Sequence, residues 1–152
     1  MQVKIRPLII EDAKTSYKWR NNPEVWKYTG SKPDRIITED IETEWIKNVL
    51  KRNNEMRFAI IVDGKYIGNT QLTNIENQEV NFHIFIGEKD YWGKGIGSQV
   101  LKLMIEVAKN KNFKKIKLNV NSKNIAAYKM YIKYGFNIIS SNNDFISMAL
   151  IL

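Results

Sequence analysis

Three glycines, Gly93, Gly95 and Gly97, alternate between the apolar run Ile84-Phe85-Ile86 and a helical pattern that begins at Ile96. Glycine permits positive φ and lets a ligand lie against main-chain N–H groups. The first amides of the following helix are unpaired and sit at the positive end of its dipole, so this junction suits phosphate oxygens. Three nucleotide motifs can be tested against it. A P-loop needs Ser or Thr after its Gly-Lys, but Lys94 is followed by Gly95. A Rossmann turn needs glycine where Ser98 stands and an acid about 20 positions on, whereas 115–120 carries only Lys, Asn and apolar residues. A kinase loop would need Asp-Phe-Gly and His-Arg-Asp, and neither occurs. His83, the only histidine, is the second chemically capable feature, since imidazole titrates near neutrality. With no cysteine, a thiolate metal site, a disulfide framework and a cysteine nucleophile are excluded.

The elements that position these residues follow from periodicity. Residues 3–8 alternate apolar and polar and read as a short strand, which Pro7 ends or places at an edge. Glu11 to Arg20 reads as a helix, broken over 19–26 by Asn21, Asn22 and Pro23, and residues 29–34 read as a loop. Thr38 reads as the cap of an amphipathic helix through Leu50, with Trp45 in the core. Strands at 57–62 and 66–72 flank the hairpin signal Asp63-Gly64. The strand 80–86 puts Phe82, Ile84 and Ile86 on one face and Asn81, His83 and Phe85 on the other. A helix to about Asn110, a strand at 115–120, a helix from Asn124 to Lys133 and strands at 136–140 and 145–151 complete the chain. The predicted fold is α+β, a single domain over 1–152. Its mixed, mostly antiparallel central sheet is flanked by helices and contains one βαβ crossover.

A chain of 152 residues can bury roughly 70 % of its unfolded surface in one core. Its formal charge of +8 favours anionic partners, but the lysines are scattered and no basic tail marks a nucleic-acid protein. No apolar run approaches membrane-spanning length and the first residues lack a signal-peptide pattern, so the expected location is the cytoplasm.

The segment Trp92-Gly93-Lys94-Gly95-Ile96-Gly97 follows a strand and opens a helix. It resembles the coenzyme-A-binding motif Gln/Arg-x-x-Gly-x-Gly/Ala of the Gcn5-related N-acetyltransferase (GNAT) family, with Trp92 in the first position. The run Tyr91-Trp92-Gly93-Lys94-Gly95, and the run Trp-Arg-Asn-Asn-Pro-Glu-Val at 19–25, are similar to its ribosomal-protein N-terminal acetyltransferase-like branch. Residues Asn124, Ala127, Tyr131, Gly135 and Phe136 resemble the family's second motif, Asn-x-x-Ala-x-x-x-Tyr-x-x-x-Gly-Phe. Both motifs stand in the family's element order, which covers essentially the whole chain.

The resemblance implies an acetyl-CoA-dependent N-acetyltransferase acting by direct transfer, with no metal. The cosubstrate's pyrophosphate would lie on the amides of Trp92, Gly93, Lys94, Gly95, Ile96, Gly97 and Ser98. Its pantetheine arm would pair along Ile84, Phe85 and Ile86, with Asn124 nearby. Attack of an amine on a thioester needs a neutral amine, a stabilised oxyanion and a proton for the leaving thiolate. Tyr131 stands at the position of the general acid, with Tyr128 one turn earlier as the alternative. His83 is the candidate base or water-relay member, Glu88 and Asp90 are alternatives, and a backbone N–H near Ile86 would meet the oxyanion. Asn81 stands where related sequences often carry Glu. Arg20, Asn21 and Trp26 would wall the acceptor site. The expected acceptor is a small-molecule primary amine. The basic charge favours an anionic one, such as a nucleotide-linked amino sugar, over a polyamine; a protein N-terminus is the runner-up. No nucleic-acid or membrane partner is expected, and the family precedent is a monomer or homodimer. A non-catalytic acyl-CoA-binding module is the reading from another class.

Overall fold

Strand alternation and helical periodicity divide the chain between one sheet and helical layers on its two faces. A computed structural model describes residues 1–29 and 32–152; of the loop expected at 29–34, Gly30 and Ser31 lie outside the described residues. The strands are β1 (Val3–Pro7), β2 (Met56–Val62), β3 (Lys65–Glu76), β4 (Glu79–Ile86), β5 (Lys115–Asn121), β6 (Asn137–Ser141) and β7 (Phe145–Ile151). The helices are α1 (Ala13–Arg20), α2 (Pro23–Trp26), α3 (Glu39–Leu50), α4 (Ile96–Asn110) and α5 (Ile125–Lys133). The sheet order is β1-β2-β3-β4-β5-β7-β6, and β4–β5 is its parallel pair. Pro7 sits on an edge strand, where its missing N–H costs no ladder bond.

Local chemistry explains where elements begin and end. The helix expected from Glu11 starts at Ala13, because Ile10–Asp12 is a tighter 3-10 turn. The Asp12 carboxylate accepts from the Ile9 amide at 2.9 Å and from Arg6 at 2.7 and 2.8 Å, pinning that turn to β1. Thr38 Oγ1 accepts from the Ile41 amide at 3.2 Å and caps α3, as expected. Asp63 and Gly64 both take positive φ, which matches the twist of a two-residue hairpin. β3 runs to Glu76, beyond the expected end at Leu72, and turns through Asn77 and Gln78, both at positive φ. Glutamine is not a turn-forming residue, so the sequence carries only half a signal there.

Two apolar clusters hold the layers. Ile96, Val100, Leu101, Met104 and Ala108 of α4 pack on Val80 and Phe82 of β4 and on Ile116 and Leu118 of β5. On the other face Leu8, Ala13, Ile46 and Ala59 join α1, α3 and β2. Each large side chain so buried contributes about 1.5–3 kcal/mol. Among the described residues, no helix is long and apolar enough to cross a membrane.

The β4–β5 ladder is short. It pairs Glu79 with Lys115, Val80 with Ile116 and Asn81 with Lys117, and then the strands part. Where β4 ends, the Trp19 ring of α1 lies directly on Gly87, with ring centres 4.8 Å from Tyr66 and 6.0 Å from Phe85. A Cβ at Gly87 would fall 2.0 Å from Trp19 Cδ2, and Trp19 is only 4 % exposed, so the ring has no free direction to move. Gly87→Ala is therefore expected to destabilise the fold by about 1–3 kcal/mol, read as a lower denaturant midpoint with unchanged slope.

Candidate active site

The parting of β4 and β5 exposes backbone. The Gly87 amide donates to the Ile67 carbonyl at 2.7 Å, which sets the alternation along the β3–β4 ladder. Phe85 turns its backbone polar groups to β3, while Ile84 and Ile86 turn theirs into the gap. The structure thus separates the three β4 residues expected to meet a pantetheine arm. Ile84 and Ile86 offer main-chain groups there; Phe85 instead sends its side chain into a cavity on the opposite face. Trp92 closes the end of the gap, its Nε1 donating to the Ile86 carbonyl at 2.9 Å.

Beyond Trp92 the chain enters α4 through Gly93 (φ 72°) and Gly95 (φ 78°). Side chains of other residues bear strain at such φ. No side chain caps α4, and its first turn carries no acid. Cβ atoms at Gly93 and Gly95 would meet nothing within 4 Å, so open space lies before these amides. A Cβ at Gly97 would lie 3.6 Å from Met130 Sδ, an ordinary contact. Packing within the protein therefore does not require glycine at 97. Lys94 and Lys65 hold their ammonium groups 5.8 and 5.7 Å from the Tyr91 ring centre, beside the same loop. Ile96 is buried in the core, whereas Ser98 is partly exposed in the first turn. These features fit a diphosphate: free amides, positive dipole end, nearby cations and clear space. Asn124 caps α5, its Oδ1 accepting from the Ala127 amide at 3.3 Å.

Tyr131 and His83 occupy opposite sides of β4. Tyr131 is 6 % exposed and packs edge-on against Phe82 at 6.2 Å and against Phe136 at 5.5 Å. Among the described residues its hydroxyl has no hydrogen-bond partner, and burial pushes its phenol well above the ordinary range. Tyr128, the alternative, begins the second turn of α5. His83 lies in a cross-strand row with Gln71 and Arg57. Its Nε2 is 3.1 Å from Thr73 Oγ1, which orients the ring. His83 is exposed to solvent on this face; partial desolvation, then the charge of Arg57, lowers the imidazole pKa against a smaller opposing effect of Glu55. Glu88 accepts from Trp19 Nε1 at 3.3 Å, and Asp90 is exposed in the loop.

A narrow cavity of about 40 Å³ lies between α1, α3 and the β2–β4 face, lined in part by Arg20, Glu42, Trp45, Arg57, Asn69, Gln71 and Phe85. Of the three acceptor-wall residues expected from sequence, the structure places only Arg20 here. Asn21 instead ties its side chain to both the N–H and C=O of Ile37, at 2.8 and 2.7 Å. Asn21 and Trp26 line a separate open groove with Pro33, Asp34, Arg35 and Ile36. Among the described residues, Trp26 Nε1 is buried there without a hydrogen-bond partner.

Sequence reasoning missed Arg57, Glu42, Asn69 and Gln71, and it treated Trp45 as core. Trp45 does pack beside the second apolar cluster, but it also lines the cavity and carries both guanidinium groups, 5.2 Å (Arg20) and 5.0 Å (Arg57) from its ring centre. A signal was present. Strand alternation puts Arg57 on the same face as Ala59 and Ile61, and helical spacing puts Glu42 with Ile46 and Val49, so each is a charge on an apolar face. Among the described residues, no group of three or more His, Cys, Asp and Glu side chains could hold a metal ion.

The sequence profile described as "Acetyltransferase (GNAT) domain" matches residues 2–137. Spermidine N(1)-acetyltransferase of Escherichia coli K12 is 30 % identical over 141 residues, spanning 90 % of this chain and 73 % of that protein. An uncharacterized protein of Methanocaldococcus jannaschii is 24 % identical over 139 residues; the match spans 89 % of this chain but only 28 % of that protein's length. Among solved structures, spermidine N-acetyltransferase from Vibrio cholerae in complex with CoA and spermine superposes with a TM-score of 0.88 at 22 % identity, covering 99 % of this chain and 95 % of that one. A domain from Methanocaldococcus jannaschii superposes with a TM-score of 0.83 at 22 % identity, covering 99 % of both chains. At these identities the superpositions show the fold, and the profile together with the Escherichia coli relative shows the family. With its coenzyme-A motif, its parted parallel strands and its seven-stranded sheet, this chain belongs to the GNAT acetyltransferase family.

Proposed function

We propose that residues 1–152 act as one cytoplasmic N-acetyltransferase domain that moves the acetyl group of acetyl-CoA directly to the primary amine of a small molecule. The observation that carries this reading is the unpaired edge of β4 at Ile84 and Ile86, leading to the uncapped, glycine-led N-terminus of α4. An amide-bearing arm can complete such an edge as an added strand would, with a diphosphate on the amides of Gly93 to Ser98; the Trp92 amide, expected among them, instead donates to the Lys89 carbonyl at 3.0 Å. Bound acetyl-CoA supplies the acyl group in activated form, as a thioester.

The protein's own groups divide the proton work. Tyr131 holds a phenolic proton on the α4 side of β4. A phenol has an ordinary pKa of about 10 and a thiol about 8.5, so transfer to a thiolate is uphill in water. The apolar surroundings that raise the phenol also raise the basicity of a thiolate formed beside it, which narrows the gap. On the other side of β4, neutral His83 is suited to take a proton from the incoming ammonium. It lies outside the cavity lining, so the proton would reach it through water. The Ile86 N–H faces the same gap, and the carbonyl of that residue is held by Trp92; this N–H would meet the developing oxyanion.

The finer assignment to the ribosomal-protein N-terminal acetyltransferase-like branch is supported by the Tyr91–Gly95 run and the segment 19–25. For the acceptor, the narrow cavity and the likeness to spermidine N(1)-acetyltransferase favour a small molecule over a protein N-terminus.

Tyr131→Phe is expected to lower kcat about 10²-fold or more while leaving the thermal midpoint nearly unchanged, because the ring contacts persist and no protein hydrogen bond is lost. Steady-state kinetics with thiol detection, alongside a melting curve, would check both. If His83 accepts the proton, kcat/KM is lost as pH falls below about 6.5, through the lowered pKa of the ring. A pH profile whose acid limb survives unchanged in His83→Gln would remove His83 from the mechanism. Gly97→Ala should fold normally yet bind CoA at least about tenfold more weakly, a loss of ~1.4 kcal/mol, measured by calorimetry.

A further inference from the structure

The acceptor cavity carries more positive than negative charge, and its cations are incompletely bonded. Arg20 and Arg57 face a single carboxylate, Glu42. Glu42 is 2 % exposed and fully engaged, with Oε1 accepting from Arg20 Nη1 and Oε2 from Ser16 Oγ, both at 2.8 Å. Arg57 is 11 % exposed and bonds Glu55 through Nε alone, at 2.8 Å. Its two terminal nitrogens have no hydrogen-bond partner among the described residues. The Gln71 side-chain amide, also at the cavity, has none either. Glu55 is shared with Arg52 at 3.0 Å, so it does not belong to Arg57 alone.

A guanidinium held over an aromatic ring, with its Nε bonded and its terminal N–H groups unused, offers those groups to an oxyanion. Such a group repels an ammonium at close range. Polyamines present cations at every amino group, and among the described residues the carboxylate at this cavity, Glu42, is already bonded at both oxygens. The narrow volume of about 40 Å³ suits one small charged group.

We infer that the acceptor amine carries a single small oxyanion, a carboxylate or a phosphate, that docks in this cavity against Arg57, with Arg20 and Gln71 beside it. This rests on the acetyltransferase reading above and adds the class of acceptor. The amine would then lie toward Phe85 and the parted strands, at the end of a short linker. A phosphorylated or carboxylated amine is thus selected and a polyamine is rejected by unpaired charge.

The test pairs amines that differ only in the anion: β-alanine with β-alaninamide for the carboxylate, and phosphoethanolamine with ethanolamine for the phosphate, with spermidine as the cationic case. Wild-type protein should acetylate at least one anionic member at least tenfold faster, in kcat/KM, than its neutral partner and than spermidine. Arg57→Gln should reduce that ratio tenfold or more, and Arg57→Lys should retain part of it. In parallel, thermal midpoints are measured with saturating CoA, which fills the diphosphate loop, then with added malonate or inorganic phosphate at matched ionic strength. A midpoint raised in wild type but not in Arg57→Gln supports the docking site even where none of the amines is turned over. Should Arg57→Gln fail to fold, Gln71→Leu serves in its place, with weakened anion response expected. Equal rates for neutral and anionic partners, preference for spermidine, or no anion shift above bound CoA would each overturn the inference while leaving the acetyltransferase reading intact. Failure of CoA itself to raise the midpoint would defeat that reading, and this inference with it.

Discussion

A strand edge left unpaired inside a sheet is expensive, because each buried and unsatisfied backbone group costs about 1–3 kcal/mol. Here β4 leaves β5 after Asn81, and the main-chain groups of Ile84 and Ile86 face the gap. Much of the remaining architecture serves to hold that edge open. β7 pairs with β5 from Lys115 to Asn121, so β5 is anchored from its far side and has no need of β4. β3 holds β4 from the other side through Gly68–Ile86, and Trp19 clamps the strand's end at Gly87. The edge is satisfied in part by Trp92, whose indole takes the Ile86 carbonyl. An edge prepared in this way is a template for an extended, amide-bearing ligand, and the α4 N-terminus beyond it is a template for that ligand's phosphates.

Because β4 alternates, one strand serves two chemistries. Its even residues build the apolar layer under α4, where Tyr131 is buried. Its odd residues face the other way, with Phe85 lining the cavity under α1 and α3 and His83 outside it. The proposed proton donor and proton acceptor therefore stand on opposite faces of the strand. Burial keeps Tyr131 protonated and desolvation keeps His83 neutral, the protonation states from which the two proposed roles start.

The cavity shows the reverse of the usual rule that buried charge is paired. Glu42 obeys it fully, and Arg57 only in part. Trp45 takes up some of the remainder, since an aromatic face stabilises a guanidinium by roughly 0.5–2 kcal/mol. The surplus of positive charge is a local property of two side chains 37 positions apart, Arg20 and Arg57. It bears no necessary relation to the formal charge of +8, most of which comes from lysines scattered along the sequence.

What could be read from sequence alone was whatever depends on near neighbours in the chain. The alternation at 80–86, the Asp63-Gly64 hairpin, the Thr38 and Asn124 caps and the glycine-led start of α4 each rest on residues within one turn or one strand of each other. The fold class and the crossover followed from their order, and the two GNAT-like motifs, each local, identified the acyl donor. The cavity was illegible for a physical reason. Arg20, Glu42 and Arg57 come from α1, α3 and β2, and only packing of two helices on the sheet makes them one site. The same packing put Asn21 and Trp26 on a separate groove and the Phe85 side chain on the face opposite Ile84 and Ile86. It made Trp45 a cavity wall, because helical spacing reports which face is apolar and says nothing of which charges the opposing strand will bring to it.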